Sequence, residues 1–548
     1  MKKTILLLLA ILLSSLFLET QAQEYYRVAF TDKNNTPYSL SNPQEFLSER
    51  AIHRREAQGI EIDSLDLPVN QNYIGQVLRP GVSLVHRSKW LNEITVKVEI
   101  DSFAYQMQSL PFVQDVQLTK PGILSKSAIN KFHEPQSPDD FLSVDSALYG
   151  TSASQLTIAN GQFLHNQNFR GQGIQIAVID AGFFQADTFA AFDSLWLNNQ
   201  ILGTKDFVDT ADAFFSTNYH GMSVLSCMGG NIPGELIGTA PKASYWLIRS
   251  EDAASEYLIE EDNWVAAAEF ADSVGVDVIN SSLGYFLFDD PAMNHTYAEM
   301  DGKTTRVTRG ANIAASRGML VFTSAGNEGN DPWKYIIAPS DGDMVIGVGA
   351  VSKDSIPAPF TSYGPASDGD IKPNVSTVGW NTVLERSSGA VGYNSGTSFS
   401  SPVMAGLGAC LWQANPQATA AQVKSAIEQS ADLFASPDSL LGYGIPDFKL
   451  ADQILKTSLV QQWETQNQWL VYPNPVQDVL LLQHTGNKDA NDVVLTFYSL
   501  DGRVLRQKRT SDKQQIILRD VQSLPAGLLI LKIKSGDSTE SVKLIKSR

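Results

Sequence analysis

Five short stretches of almost unbroken apolar residues constrain this chain more than any other feature: 174–179, 245–248, 276–279, 319–323 and 345–348. Each has the length of a strand, and helix-length segments separate them. A strand with one wet face alternates apolar and polar residues, whereas one buried on both faces does not. The pattern predicts an α/β domain over residues 145–455, a mostly parallel sheet with helices on both faces.

The flanks read differently. Residues 23–120 mix strand-like and helix-like segments, such as a helix over 42–59, and predict a small α+β domain. Residues 121–144 are rich in Lys, Ser, Pro and Asp, a composition that predicts an exposed segment where proteolytic nicking is easy. Residues 456–470 are Gln-rich and predict a linker. Residues 471–548 alternate like strands between Asn, Gly and Asp turns and predict a β-sandwich-like module. At the start, Lys2 and Lys3 precede an apolar run, and Thr20-Gln21-Ala22 offers the small residues of a signal peptidase site. Residues 1–22 are therefore expected to be an export signal. A formal net charge of −18 opposes a phosphate-tracking surface, so nucleic acid is not an expected partner. The two cysteines, Cys227 and Cys410, are too few for a disulfide framework; both fall in apolar helical segments, and sequence does not decide whether they pair.

Reactive groups of open α/β sheets gather where strands end and helices begin. I-Q-I-A-V-I-D-A-G puts Asp180 at the end of a buried strand, where a carboxylate can orient an imidazole. Alone, such an Asp is more often a cap or turn residue. Y-H-G-M-S-V-L-S sets His220 before a small-residue helix, with Gly221 allowing close approach. N-S-G-T-S-F-S-S-P-V-M-A-G is the most specific of the three. Ser398 would open a helix whose N-terminal dipole favours developing negative charge, and Pro402 is tolerated in the first turns. An N-cap role for Ser398 would leave the surrounding Gly, Thr and Pro unexplained.

In the order Asp, His, Ser these motifs resemble the subtilisin (subtilase) family of serine proteases. Gly238-Thr239-Ala240-Pro241, the segment from Ile279 to Gly284, Ser324-Ala325-Gly326-Asn327 and Ile371-Lys372-Pro373-Asn374-Val375 extend the resemblance. It implies a subtilisin-like fold with Asp180, His220 and Ser398 as catalytic triad and Asn327 in the oxyanion hole. It further implies an extended substrate along Ser282, Leu283 and Gly284, with Ala325 and Gly326 as the other wall of the primary pocket. Three departures stand out: Ala181 after the Asp, Met222-Ser223 after His-Gly, and Phe399 after the Ser. None deletes a member of the triad.

By the same resemblance, residues 23–120 are a propeptide that blocks the cleft until it is cut between 120 and 150. Val471-Tyr472-Pro473-Asn474-Pro475 and Leu524-Pro525-Ala526-Gly527-Leu528 resemble the C-terminal sorting domain of type IX secretion. The implied protein is a secreted or surface-attached zymogen. Its expected partners are protein or peptide substrates, its own propeptide as inhibitor, and the type IX machinery. The chemistry needs no cofactor. A structural calcium is an open expectation at Asp289, Asp290, Asn294, Glu299 and Asp301, although these read more readily as a solvated acidic loop. No H-E-x-x-H competes with the triad. Two other readings stay open: a catalytically silent binding protein on the same scaffold, and a peptide ligase using the same acyl-enzyme.

Overall fold

The computed structural model describes residues 23–99, 102–122, 131–132, 148–466, 469–484, 492–500, 502–510, 515–536 and 538–547. The expected export signal and most of the expected processing segment lie outside these residues.

The N-terminal domain is a four-stranded antiparallel sheet, β1 (Glu24–Phe30), β2 (Val82–Ser88), β3 (Glu93–Val98) and β4 (Val113–Lys120), in the order β2-β3-β1-β4. Helices α1 (Glu49–Gln58), α2 (Gln71–Val77) and α3 (Ser102–Gln108) complete it. Its core gathers Val28, Ile74, Val96, Met107 and Phe112. The helix expected over 42–59 is shorter. A 3-10 turn at Pro43–Glu45 comes first, and Ser48 caps α1 by accepting from the Ala51 N–H, so the helical register starts there.

Seven strands form one parallel sheet: β5 (Gln175–Asp180), β6 (Ile201–Asp206), β7 (Ser244–Arg249), β8 (Val278–Ser281), β9 (Leu320–Ser324), β10 (Ile346–Val351) and β11 (Val375–Val378). Their order is β11-β10-β9-β8-β5-β7-β6. From β5 the chain lays β6 at the far edge and β7 between the two, then crosses to lay β8 on the other side of β5. Connections diverge between β5 and β8, and a crevice opens at the carboxyl ends of those strands. Ile179 opposes Ser281 there, so Asp180 and Ser282 follow directly on paired ends.

Both faces are covered, which is why the strands need no polar alternation. Ala177, Ile179, Ile279 and Val321 share a core with Trp264 and Ala268 of one helix (Ile259–Val274) and Val307 and Ala311 of another (Arg306–Ser316). On the other face, the Phe322 ring abuts Gly408 so closely that a Cβ there would lie 2.6 Å from it. Gly408 belongs to the long buried helix Thr397–Ala414, and the fully buried helix His220–Gly229 packs beside it. In chain order these four are α4 (His220–Gly229), α5 (Ile259–Val274), α6 (Arg306–Ser316) and α7 (Thr397–Ala414). Cys227 on α4 and Cys410 on α7 are free and buried, and burial pushes both thiols up.

The N-terminal domain docks on α5 through charge. Arg54 and Arg55 donate to Asp272 Oδ1 at 2.5 and 2.8 Å, and Lys89 Nζ reaches Asp272 Oδ2 at 2.9 Å. Ser88 Oγ and the Lys89 and Trp90 amides donate to Glu269. Thr95 Oγ1 donates to Asp262.

The expected linker departs from irregular structure, because helix α8 (Phe448–Gln466) runs through most of it. Residues 455–548 form a second compact unit. Its two antiparallel sheets have three and four strands and enclose one core of Trp469, Leu482, Leu495, Phe497, Leu531 and Leu544, a sandwich as expected. The Y-P-N-P stretch has a local cause. Asn474 donates to the Lys543 carbonyl and accepts from the Ile545 amide, both at 2.8 Å, so its side chain pairs with the final strand.

Candidate active site

The three motifs converge on the crevice. Asp180 ends β5 and is fully buried. Its Oδ1 lies 2.7 Å from His220 Nδ1 and accepts the Ala181 amide, also at 2.7 Å. A carboxylate can only accept, so the imidazole proton sits on Nδ1 and the Nε2 lone pair is left as an acceptor. Ala181 thus needs no hydroxyl to serve the Asp; its backbone does so. His220 opens α4, held by its own amide on Asn218 Oδ1. Gly221 is required beside it. A Cβ there would lie 2.6 Å from the Gly182 carbonyl oxygen and 2.7 Å from Asp180 Cβ, driving the helix off the carboxylate.

Ser398 lies in the first turn of α7 and is half-buried at the cleft. Among the described residues its Oγ donates to the Ser282 carbonyl at 3.4 Å and not to His220. Its own carbonyl accepts from Ser282 Oγ at 2.7 Å, tying the first turn of α7 to the end of β8. Asn327 follows β9 with an exposed side chain. Its Oδ1 accepts from the Thr397 amide at 2.8 Å and from Thr397 Oγ1 at 3.0 Å. The carbonyl end of that amide is therefore fixed, and the NH₂ end is free to face the cleft. Met222 is buried, Ser223 donates to the Glu385 carbonyl, and Phe399 sets its ring 5.8 Å from that of His220.

A cleft of about 520 Å³ runs past these groups, with Ser282, Leu283 and Gly284 along one side and Ser324 and Gly326 along the other. Ala325 is buried behind that wall. Sequence reasoning did not single out Glu328 and Asp331, which also line it. Burial, and then the charge of Asp331, push Glu328 up to about 7. The acid-bearing run G-N-E-G-N-D was the available signal.

Also unanticipated, Lys131 and Phe132 occupy the cleft themselves. The Phe132 ring sits 4.3 Å from that of His220, and the Tyr219 hydroxyl donates to the Phe132 carbonyl. The acidic loop residues after Gly284 are occupied locally. Asp289, Asp290 and Asn294 accept from backbone amides, as do Glu299 and Asp301, which also accept from Thr hydroxyls.

A model described as the subtilase family matches residues 171–444, half of the chain. The chain belongs to the subtilase family. It is a subtilisin-like serine hydrolase. A second model, the peptidase S8 propeptide domain of Bacteroidota, matches residues 25–134, and a secretion system C-terminal sorting domain matches 470–547. The subtilase therefore carries a propeptide domain and is a secreted or cell-surface protein.

Serine protease AprX of Bacillus subtilis is 27% identical over 324 residues, 54% of this chain and 68% of that protein. Subtilisin E of the same species is 28% identical over 274 residues, 49% of this chain and 63% of its own length. A crystal structure of MycP1 with its N-terminal propeptide removed aligns at 22% identity with a TM-score of 0.43, covering 55% of this chain and 96% of that one.

Proposed function

We propose that this subtilase is a secreted serine endopeptidase, made as a zymogen, with Asp180, His220 and Ser398 as its triad. His220, oriented by Asp180, takes the Ser398 proton as Oγ attacks the scissile carbonyl. The Asn327 amide and the Ser398 N–H stabilise the oxyanion, and water then releases the acyl group. The reading rests above all on the 2.7 Å pairing of His220 with the fully buried Asp180 at the mouth of the Ser398 helix. Labelling of the processed protein by a serine-directed fluorophosphonate, with casein hydrolysis alongside, is the direct test. A processed chain that takes no label refutes it.

Two observations support the zymogen part: Phe132 lies over the general base, and the propeptide match ends at residue 134. The cut is accordingly expected a few residues after Phe132, and intact mass of the mature chain reads it directly. The sorting-domain match supports type IX export.

Asn327→Ala is expected to lower kcat by about 10²–10³-fold, as in subtilisin, with little change in KM. Equal turnover of an ester substrate by this variant and wild type would reject the oxyanion role.

Glu328 sets a pH dependence. With its carboxyl raised to about 7, it is neutral in acid and becomes anionic only as pH rises past that value. Hydrolysis after Lys relative to Met is expected to increase between pH 6 and 8, a ratio from which pH effects common to both substrates cancel. In Glu328→Gln the ratio should be flat.

A further inference from the structure

Among the described residues one group of carboxylates converges tightly outside the catalytic groups. Glu251, Glu256 and Glu260 each bring an oxygen within 4.8 Å of the others. Glu251 lies just past the end of β7, and Glu260 opens α5; both are almost completely buried. Tyr285, directly after the Gly284 edge, donates to Glu251 at 2.9 Å, so the group is braced against the substrate wall. Three carboxylates this close, two buried and one partly buried, cannot all stay ionised without a cation. Burial, and then the charge of Glu251, push Glu256 up to about 8.

A cation is present, and it comes from a distant part of the same chain. Lys131 Nζ lies 2.5 Å from Glu251, 2.6 Å from Glu256 and 2.9 Å from Glu260. The next residue, Phe132, is the one whose ring lies on His220. Glu251 and Glu256 line the same cleft as Ser398. When the propeptide leaves, the pocket loses its ammonium group but keeps its carboxylates and its distance from the catalytic base.

We propose that this pocket is a specificity subsite of the mature enzyme, which selects Lys or Arg at the substrate residue immediately before the one seated over His220. The inference rests on the protease reading above. Lys131 is then the propeptide's copy of the preferred substrate side chain.

The test uses processed wild-type enzyme and internally quenched peptides carrying X-Phe, with X as Lys, Arg, norleucine or Gln. Charge-assisted hydrogen bonds of this kind make the expected kcat/KM advantage of Lys and Arg over norleucine about 30-fold. Glu251→Gln and Glu260→Gln should bring the ratio toward one, the norleucine peptide serving as the reference within each variant. Equal rates for Lys and norleucine in wild type overturn the subsite, and so does a preference that survives both substitutions. Fluorophosphonate titration counts active sites in every preparation. A preparation without label and without hydrolysis counts against the protease reading instead, and the wild-type series decides the matter even if a variant fails to fold.

Discussion

Ser398→Ala is expected to lower kcat by about 10⁶-fold, the loss known for subtilisin when its nucleophile or general base is removed. Without Oγ no acyl-enzyme can form. What survives is the smaller catalysis by the oxyanion donors, which the helix N-terminus and Asn327 supply independently. Because the three residues act as one unit, His220→Ala should be about as damaging, and the double variant no worse than either. Additive losses would mean that the two side chains do not share one proton transfer.

The same variant addresses activation. If the chain cuts itself, purified Ser398→Ala keeps its N-terminal segment in intact mass while wild type sheds it. A variant that is processed at the wild-type rate in pure solution would sink self-activation. A variant that still degrades casein would remove Ser398 from the chemistry. If wild type too is inert after its segment is removed by an added protease, the binding-scaffold reading takes over.

The motifs were legible because their chemistry is local: each catalytic side chain sits within a few residues of the Gly or strand end that positions it. The strands were legible for the same reason: four of the five begin one or two residues later than their apolar stretches, and β7 begins one residue earlier. The rule failed at the sheet edges. β6, Ile-Leu-Gly-Thr-Lys-Asp, is half-exposed at one end of the sheet, and β11, Val-Ser-Thr-Val, buries two hydroxyls at the other. Neither can be continuously apolar. β2 of the N-terminal domain, partly exposed along its length, escaped in the same way. The contents of the cleft were not legible at all. Lys131 meets Glu251, Glu256 and Glu260 from more than a hundred residues away, and the acidic run after β7 looks locally like any solvated loop.

That separation in sequence also underlies the second large effect. Asp272 is buried at the interface between α5 and the propeptide, and Arg54, Arg55 and Lys89 all converge on its carboxylate from the propeptide side. Burial alone would raise its pKa, but the three cations outweigh burial and hold it below the usual carboxylate range. The sign follows. A depressed bound pKa contributes stability that is fully present above the free value and is lost only as pH falls through the bound one. This contact is therefore insensitive to pH between 5 and 8. Asp272→Ala would leave Arg54 and Lys89 buried without their carboxylate partner and Arg55 with Asp66 alone. Removing one partner of such a cluster costs about 3–5 kcal/mol, mostly as the penalty of the charges left behind. In a Ser398→Ala background, where the propeptide stays attached, the variant is expected to expose the propeptide to an added protease and to lower its melting temperature. The processed Asp272→Ala enzyme should match wild type in kcat/KM, because every cation on Asp272 belongs to the segment that leaves. A mature enzyme impaired as much as its zymogen would show that Asp272 supports α5 itself and not the docking of the propeptide.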